Sequence, residues 1–429
     1  MKKILCNHKS TQKDTKAETL FSSLFCVLLC LFVVSTSSSL LFAADWPQWR
    51  GPNRDGLSAE TGLLKSWPEG GPKLVWSANG LGNSFSSASI AGGLVYTAGA
   101  IGTDGFIFCL DLDGHLKWKT AYGPEGFKNG LYARSTPTVD GGHVFIMSAL
   151  GTVACVDATT GELKWTLDTA KEFGARQPNG AHGISESVVL AGTIAVCTPG
   201  GDKATVIGIN RTTGAVAWKL DSVSEASGFN QPLVIQRANR KLAVVMTSLS
   251  MMGLDAGTGE LLWRLPFAAL GGQCFTPVFA DRVLYAPVGP NFAAQGFSLS
   301  DDGSAIRPLW TQPRMTVHHG VVVVAGGYVF GTHGNWRMMC LDIRTGNLMY
   351  ESPRKVGAGA IIAADGMLYL CLLDGTVNLA TAAPQGFDPV SSFKIPLGEG
   401  AYWAHPSLAD GRLYIRHGEW RMAYDARMK

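Results

Sequence analysis

The stretch Gly151–Trp165 (GTVACVDATTGELKW) has the pattern of a β-hairpin. Its first strand is small and apolar on both faces, which is typical of a strand in a sheet that is covered on both sides. In the turn Asp157–Gly161, the Asp and Thr side chains can accept hydrogen bonds from nearby backbone N–H groups, and Gly161 can take a positive φ. The return strand ends on a large aromatic, Trp165. Alone, this stretch would predict an ordinary hairpin.

The same pattern recurs along the chain, and this repetition constrains the fold more than any other feature. The further copies are Asp111–Trp118, Asn210–Trp218, Asp255–Trp263, Asp342–Tyr350 and the degraded Asp301–Trp310. A hydrophobic strand signature accompanies them and occurs eight times, with starts 39 to 50 residues apart. Eight repeats of that length, each able to supply about four short strands, predict an all-β, eight-bladed β-propeller of four-stranded antiparallel blades. Seven blades are the alternative if the weak region 376–396 is irregular.

These D-x-x-T-G-x-x-x-W copies, particularly 157–165 and 255–263, resemble the repeats of the quinoprotein-like β-propeller family. PQQ-dependent alcohol dehydrogenases and the BamB-type outer-membrane assembly lipoprotein share this fold. The resemblance covers about residues 73–429, and it is specific for fold but not for function, because catalytic and scaffold members share the same blades. It implies that one Trp of each blade docks between neighbouring blades. The residues that take this structural role are Trp118, Trp165, Trp218, Trp263 and Trp310.

Residues 1–44 have the organisation of an export signal. A region with five Lys precedes the apolar core Leu24–Val34, and Phe42–Ala44 offers a small-residue cleavage site, which together predict a cleaved signal peptide. An uncleaved anchor is the alternative, because Leu20–Ala44 is long enough to span a membrane, although serines interrupt it. A lipoprotein anchored at Cys30 is disfavoured, since Leu29 stands where a small residue is expected. We expect a periplasmic or extracellular protein that contacts membranes only through this signal.

The charge of the exported chain is balanced. The first 44 residues hold five of the 36 basic and two of the 33 acidic residues, which leaves 31 of each. A chain without net charge or a basic run is not expected to bind nucleic acid. One propeller uses nearly all of the remaining length, so no second domain is needed, and we expect a monomer.

Residues 45–72 are predicted to be an irregular extension packed on the propeller. The segment Asp45–Ser58 (DWPQWRGPNRDGLS) contains two Trp, two Pro and two Gly, which is typical of an irregular but well-anchored stretch. We interpret it as a plug in which the two Trp pack on the propeller and Arg50 and Arg54 pair with acids or backbone. The alternative is that both arginines form a binding patch.

The two ends of the propeller, residues 73–429, are predicted to share its last blade. Pro72–Ser77 (PKLVWS) has the pattern of a lone outer strand, whereas Arg412–Arg427 supplies inner strands and stops without an outer one. Joining them would close the ring and leave no free sheet edge.

Polar residues gather where each outer strand leads over the top face to the next inner strand, around the central funnel. The candidate ligand-binding residues are Arg134, His182, Glu186, Asn230, Gln231, Gln273, His318, His319, Trp403 and His405. Such a set would suit a polar, anionic or sugar-like ligand. The alternative is that a wet channel and loop caps account for these residues. Adjacent His318 and His319 would point apart in an extended strand, so we expect no metal site there.

A second internal repeat relates His333–Asp342 (HGNWRMMCLD) to His417–Asp425 (HGEWRMAYD), two blades apart. It predicts either a paired feature on the rim or, as we favour, a structural motif in which each Arg stacks on the Trp that precedes it.

The resemblance to PQQ-dependent dehydrogenases implies an Asp base, a Ca²⁺ held by Glu, Asn and often Asp, and an aromatic under the quinone. This chain has no adjacent Cys pair and no C-x-x-C-H haem attachment. Glu186 is the only carboxylate in the rim stretches, and one Glu cannot serve as both calcium ligand and base. Asn230 could be a second ligand and Trp403 a stacking platform, but no Asp completes the set. Hydrolase signatures such as G-x-S-x-G and H-E-x-x-H do not occur either.

We therefore expect a non-catalytic binding or scaffolding module for a protein or for a polar polymer such as a glycan, with no catalytic residues, metal or cofactor. A divergent PQQ-dependent oxidoreductase that binds PQQ with Ca²⁺ is the alternative. Docking at a strand edge, which the BamB resemblance implies, overlaps the first interpretation. Rim carboxylates and quinone affinity would indicate the enzyme, whereas an exposed edge or apolar patch would indicate the module.

Overall fold

A computed structural model describes residues 45–126, 130, 132–176, 182–267, 274–316 and 322–428. It contains eight sheets, each built on four antiparallel strands, so the predicted eight-bladed propeller is confirmed. The predicted signal peptide, residues 1–44, lies outside the described part. No helix within the described ranges is long and apolar enough to cross a bilayer.

Each of the first four blades runs outward from the channel in chain order. Blade 1 consists of Ser89–Ala91, Leu94–Ile101, Asp104–Asp111 and Leu116–Pro124. Blade 2 consists of Thr138–Asp140, His143–Met147, Thr152–Asp157 and Leu163–Asp168. Blade 3 consists of Val189–Ala191, Ile194–Cys197, Val206–Asn210 and Val216–Leu220. Blade 4 consists of Leu233–Gln236, Lys241–Met246, Ser250–Asp255 and Leu261–Pro266.

The remaining blades follow the same order, and the last is composite. Blade 5 consists of Val278–Ala280, Val283–Ala286, Ala293–Leu299 and Ile306–Thr316. Blade 6 consists of Val323–Ala325, Tyr328–Thr332, Met338–Asp342 and Leu348–Glu351. Blade 7 consists of Gly359–Ala364, Met367–Leu372, Thr376–Thr381 and Pro389–Lys394, so region 376–396 is regular. Blade 8 consists of Ser407–Ala409, Arg412–His417, Trp420–Asp425 and the early strand Leu74–Ala78.

The predicted closure by both chain ends is confirmed. Leu74–Ala78 pairs antiparallel with Trp420–Asp425 as the outer strand of blade 8. A short strand, Leu57–Ser58, also pairs parallel to the inner strand of blade 7. The described chain contains one α-helix, Thr169–Phe173, and one 3₁₀ turn, Pro290–Phe292. Because strands alternate in direction, the turns between second and third strands lie on the same face as the blade-to-blade connections, which we call the top face.

The repeated Asp fixes the turn between the third and fourth strands. Asp157 Oδ1 accepts hydrogen bonds from the N–H groups of Thr159 and Thr160, both at 2.9 Å, and these bonds hold the pKa of Asp157 below its usual range. Gly161 ends the turn with a φ of +73° and donates its N–H to the Asp157 carbonyl oxygen. Positive φ favours glycine, which explains the repeated T-G.

The tryptophan at the end of each repeat joins its blade to the next one. The Trp118 indole N–H donates to Ala158 O at 3.2 Å, and the ring lies so close to Gly161 that an added Cβ would stand 2.7 Å away. Equivalent indole bonds, each to a carbonyl of the following blade, are Trp76 to Leu112, Trp165 to Arg211, Trp218 to Ala256, Trp263 to Gly303 and Trp310 to Ile343. The repeat thus encodes both the turn and its contact with the preceding blade.

Blade 7 receives its tryptophan from outside the repeat. Its register and bulge place Ser391 opposite Leu379, as Trp218 stands opposite Gly208 in blade 3. Trp67 from the N-terminal extension is buried there, and its backbone N–H donates to Ser391 Oγ at 2.9 Å. The Trp67 ring lies 6.1 Å from Tyr369, which matches the 6.0 Å between Trp76 and Tyr414 in blade 8. The extension therefore supplies the aromatic that blade 7 lacks.

Replacing Trp67 by Ala is expected to lower the free energy of unfolding by about 3–5 kcal/mol, the range typical of buried Trp-to-Ala changes, and Trp218→Ala is expected to have a similar effect. Trp403→Ala, at a half-exposed position, is the matched control and should cost less than about 1 kcal/mol. Urea titration followed by circular dichroism measures the effect. Adding Ser391→Trp to Trp67→Ala is expected to recover part of the loss. Equal effects of Trp67→Ala and Trp403→Ala would show that Trp67 does not replace the blade tryptophan.

Candidate functional site

The central channel contains the N-terminal segment 46–58. Trp46 and Ile90 exchange two backbone hydrogen bonds of 2.8 Å on the inner strand of blade 1, and Pro47 O accepts from Val139 of blade 2. Leu57 and Ser58 then pair with the inner strand of blade 7 on the other side of the ring. The segment therefore crosses the channel and connects inner strands that are distant in sequence.

Arg50 anchors this segment on blades 6 and 7. Its guanidinium is buried and donates to Val322 O at 2.6 Å, Asp55 O at 2.6 Å and Ile361 O at 3.4 Å. Burial lowers the pKa of Arg50 to about 10, and the nearby Asp55 carboxylate opposes that shift. The backbone at Arg50 has a φ of +63°, so the segment adopts a strained conformation to place this side chain. The guanidinium thus serves as a link between strands.

Arg54 makes the corresponding connection to blades 2 and 3. It donates to Val188 O at 2.5 Å, Thr138 Oγ1 at 3.4 Å and Gln48 Oε1 at 2.9 Å, and it is as buried as Arg50. Burial lowers the pKa of Arg54 to about 10, while the charge of Glu186 opposes the shift. Arg50 and Arg54 therefore satisfy carbonyl oxygens at the channel wall and are not exposed as a patch.

Glu186, the one carboxylate among the rim candidates, lies inside the propeller beside Arg54. It is 2% exposed and accepts a hydrogen bond from Thr198 N at 2.9 Å. Burial raises the pKa of Glu186 to about 7, although the hydrogen bonds from Thr198 and the charge of Arg54 act in the opposite direction. This carboxyl is positioned by the protein's own groups.

Gln231 is part of a hydrogen-bonded belt that links five blades. Ser87 N–H donates to Thr136 Oγ1 at 2.9 Å, and Thr136 N–H donates to Ser187 Oγ at 2.9 Å. Ser187 N–H then donates to Gln231 Oε1, and Gln231 N–H donates to Thr276 Oγ1 at 3.1 Å. Each of these residues precedes an inner strand. The Gln231 amide therefore connects neighbouring blades.

A second belt lies two residues further along the chain than the first, at the first residue of three inner strands. Each hydroxyl there donates to a carbonyl oxygen of the following blade. The bonds are Ser407 Oγ to Ala88 O, Ser89 Oγ to Pro137 O and Thr138 Oγ1 to Val188 O. Hydrogen bonds between blades therefore account for many of the polar residues in the rim stretches of the sequence.

Arg134, Trp403 and His182 lie nearer the surface. The Phe85 ring stacks on Tyr132 at 4.9 Å, contacts Trp403 at 4.7 Å and carries the Arg134 guanidinium at 5.5 Å. Burial lowers the pKa of Arg134, and burial together with the charge of Arg134 lowers the pKa of His182. The structure thus groups Arg134 with Trp403 through an aromatic cluster at the junction of blades 8, 1 and 2.

The remaining candidates are separated from that cluster. His405 contacts the Trp49 ring at 5.1 Å, and burial, with the nearby charge of Arg50, lowers the pKa of His405 to about 3. Asn230 is buried, and its amide nitrogen occupies the space that a Cβ on Gly228 would fill. Gln273, His318 and His319 lie outside the described residues. The seven candidates that the structure describes therefore do not form one common site.

The related motifs of blades 6 and 8 have different environments. In blade 8, Arg421 is buried and donates to Ser86 O at 2.9 Å, while the His417 ring stacks on Tyr402 at 3.7 Å. In blade 6, Trp336 is exposed, and Lys355 lies over its ring at 5.7 Å. The stacking partner of Trp336 is thus Lys355, where the sequence favoured the adjacent arginine.

The sequence patterns did not predict the buried polar network that lies between blades 8, 1 and 2. Arg416 donates to Leu81 O at 2.9 Å and to Thr97 Oγ1 at 3.0 Å, while the Tyr122 hydroxyl donates to Glu125. Burial raises the pKa of Glu125 to about 7. The signal was available, because Arg416 interrupts a strand signature that is apolar at this position in several other blades.

The top face exposes apolar side chains. They occupy five turns between second and third strands and one blade-to-blade connection. These residues are Ile101, Leu150, Leu249, Trp336, Leu373 and Trp403. On the opposite face, the described turns carry mainly Gly, Asp, Asn and Thr, and the exposed apolar residues nearby belong to outer strands, except for Met428 in the C-terminal tail. The two faces therefore differ in chemical character.

The donors around the channel do not fit a Ca²⁺-bound quinone. Glu186 already accepts from Thr198, and the positive charge of Arg54 opposes a dication at this carboxylate. Trp403 packs on Phe85, and no group of three or more His, Cys, Asp or Glu within the described ranges could hold a metal. No step of PQQ chemistry follows from these residues.

Comparison with known proteins identifies the class to which this propeller belongs. The family model described as outer membrane protein assembly factor BamB matches residues 64–202 and 103–347, which is more than half of the chain. The chain therefore belongs to this family of PQQ-repeat propellers. It is 25% identical to BamB of Yersinia pestis over 271 residues, 59% of this chain and 64% of that protein. It is 28% identical to BamB of Burkholderia pseudomallei over 205 residues, which are 46% of this chain and 49% of that protein.

The chain thus spans less than two thirds of the length of the curated relatives it matches. Solved structures agree on the fold. BamB from Moraxella catarrhalis superposes with a TM-score of 0.62 at 15% identity, over 82% of this chain and 99% of that one. A quinohemoprotein alcohol dehydrogenase from Pseudomonas putida HK5 also superposes with a TM-score of 0.62, at 13% identity, over 90% of this chain and 81% of that one. At these identities the structures show the fold alone.

Replacing Glu186 by Gln is expected to change how stability depends on pH. The folded-state pKa of Glu186 is about 7, whereas the pKa of a glutamate in an unfolded chain is about 4.3. Between these values the folded state binds more protons, so this carboxyl makes the wild type less stable as pH rises. Chemical denaturation from pH 4.5 to 7.5 should show the wild type losing on the order of 3 kcal/mol relative to Glu186→Gln.

The matched control is Glu172→Gln, at an exposed helical position, which is expected to follow the wild-type curve. A constant difference between wild type and Glu186→Gln at every pH would contradict the assignment, because it would mean that Glu186 does not gain protons on folding.

Proposed function

We propose that this chain is a non-catalytic docking propeller that binds other proteins of an envelope assembly through its top face. The observation that carries this proposal is the set of exposed apolar residues on the top-face turns, Ile101, Leu150, Leu249, Trp336 and Leu373, together with Trp403. Apolar side chains repeated around one face favour protein contact, because burying them against a partner is favourable. Membership in a family named for outer membrane protein assembly agrees with such a role.

The filled channel supports a docking role over a catalytic one. Segment 46–58 connects blades 1, 2, 3, 6 and 7 from within the ring, and Arg50 and Arg54 bond to carbonyl oxygens of the channel wall. Glu186 and Gln231 are engaged in internal hydrogen bonds. These contacts leave the top-face turns as the described surface best suited to recognition.

The proposed location is the periplasm or the extracellular side of the envelope. It rests on the predicted export signal in residues 1–44, with its basic start, apolar core and small residues before Asp45. A cleaved signal would release an N-terminus that leads directly into the channel segment. Export would then depend on residues 1–44, and closure of the propeller on the extension that directly follows them.

Photo-cross-linking tests the docking face. A benzophenone amino acid at Leu249, on the top face, is expected to capture one or a few envelope proteins in the native host, whereas the same probe at Val216, an exposed position on an outer strand, should capture far less. Mass spectrometry identifies the products. Equal capture at both positions would contradict a docking face. A glycosidase-sensitive product at Leu249 would instead identify a glycan partner.

Calorimetric titration with PQQ and Ca²⁺ tests the enzymatic alternative on the same protein. We expect no saturable heat and no rise in the thermal midpoint, because Arg54 opposes a dication near Glu186. Stoichiometric binding that is lost in Glu186→Gln and Trp403→Ala, and kept in Glu172→Gln, would overturn the non-catalytic assignment.

A further inference from the structure

Trp336 is the most exposed large hydrophobic residue of the described chain, with 55% of its surface accessible. It lies in the top-face turn between the second and third strands of blade 6, with a φ of +67°. A bulky residue rarely adopts this conformation, and it persists only where the surroundings enforce it. Both the exposure and the backbone strain of this Trp call for a functional explanation.

The neighbouring loop holds Trp336 in that conformation. Its N–H donates to His333 O at 2.7 Å, and its carbonyl oxygen accepts from Val356 N at 2.7 Å and from Gly357 N at 3.0 Å. The backbone is thus bonded on both sides while the indole extends outward. Such a fixed aromatic loses little conformational entropy when a partner packs on it.

Glu351 stabilises the base of the turn. Its carboxylate pairs with Arg314, lies 3.4 Å from His333 Nε2 and lies 3.7 Å from Arg337 Nε. Asn335 N–H donates to His333 Nδ1. Arg337 also donates to Ser352 O at 3.0 Å. The turn is therefore attached to the outer strand of its own blade and to that of blade 5.

The surroundings of Trp336 carry excess positive charge. We define the blade 6 corner as Arg314, Trp336, Arg337, Arg354 and Lys355. The segments 306–316, 333–337 and 348–357 contain a single acid, Glu351, whose side chain is only 16% exposed. These segments also contain five Arg or Lys residues, two of which, Arg314 and Arg337, lie near the largely covered Glu351 carboxylate. The exported chain as a whole, in contrast, holds equal numbers of basic and acidic residues. A local excess of this kind favours an anionic partner.

We infer that the blade 6 corner binds an acidic segment of a protein partner, which places an apolar side chain on Trp336 and carboxylates on the surrounding Arg and Lys. This inference rests on the proposed protein-docking function and names the chemistry of one contact. Trp and Arg are the residues that most often dominate binding energy at interfaces. Arg can hold a carboxylate through two parallel hydrogen bonds. A short acidic segment matches four cations in one corner, whereas nucleic acid would need a longer basic surface.

Selection from a phage-displayed library of random twelve-residue peptides tests the inference on the purified exported protein. Peptides that bind the wild type but not the double variant Arg354→Glu, Lys355→Glu are expected to be rich in Asp and Glu and to contain an apolar residue. A synthetic peptide with the selected sequence should bind at least tenfold more weakly to Trp336→Ala. Raising the salt from about 0.05 to about 0.5 M, which shortens the Debye length to about 4 Å, should weaken binding by a similar factor.

Trp336→Gly separates a docking role from a structural one. Glycine tolerates a φ of +67°, so this variant should keep or raise the thermal midpoint while losing peptide binding. Val216→Ala is the control, because Val216 is an exposed apolar residue on an outer strand, outside the top-face set, and its loss should leave peptide binding unchanged. A large drop of the midpoint in Trp336→Gly would assign the indole a structural role and overturn the inference.

Other outcomes would identify a different occupant. Basic or neutral selected peptides, or no peptide that discriminates the double variant, would overturn the inference. A wild-type dimer that Trp336→Ala converts to monomer would show that a second copy of this chain covers the corner. Binding of dextran sulfate without enrichment of peptides would indicate a polyanion site. If the inference fails while the Leu249 cross-links persist, the proposed docking function still holds. If both fail, the docking function fails too.

Discussion

The fold depends on the contact between the tryptophan of one blade and the glycine turn of the next. The indole N–H of Trp118 donates to Ala158 O, and its ring covers Gly161. Each repeat therefore supplies a tryptophan for the next blade and a glycine turn for the tryptophan of the preceding blade. A blade with no neighbour would leave this ring and its carbonyl partner exposed to water. Stability is therefore shared around the ring, and closure of the last blade matters to every other blade.

Closure explains why the N-terminal extension is so deeply integrated. Trp76 supplies the missing tryptophan of blade 8, and Trp67 fills the position where blade 7 has Ser391. Upstream of them, Arg50 and Arg54 bring two cations into the channel, which is costly unless their donors are satisfied. Most of these donors are satisfied by backbone carbonyl oxygens at or beside the inner strands, such as Val322 O for Arg50 and Val188 O for Arg54. The N-terminal extension, which leads into the closing strand Leu74–Ala78, thus also occupies the channel in which a ligand would bind.

The blades could be predicted from sequence because their determinants are local. The Asp157–Gly161 turn and the strand alternation recur within each repeat, and the unpaired ends at 72–77 and 412–427 imply the closure. The rim could not be read in the same way. Gln231 stands in a polar stretch like a ligand-binding residue, but its amide bonds to Ser187 of the neighbouring blade. Such a use depends on which residues from different blades meet, and no short-range pattern specifies that.

The two copies of the H-G-x-W-R motif show why a repeated sequence does not imply a repeated role. In blade 8 the His417 ring lies against Tyr402, and Arg421 is buried against blade 1, so the motif contributes to closure. In blade 6 the N–H groups of Val356 and Gly357 donate to the Trp336 carbonyl oxygen, and the indole stays at the surface. A protein whose other tryptophans are mostly used to join blades holds this one outward under backbone strain. Contact with a partner is the explanation that accounts for its exposure, its strain and its cationic surroundings together.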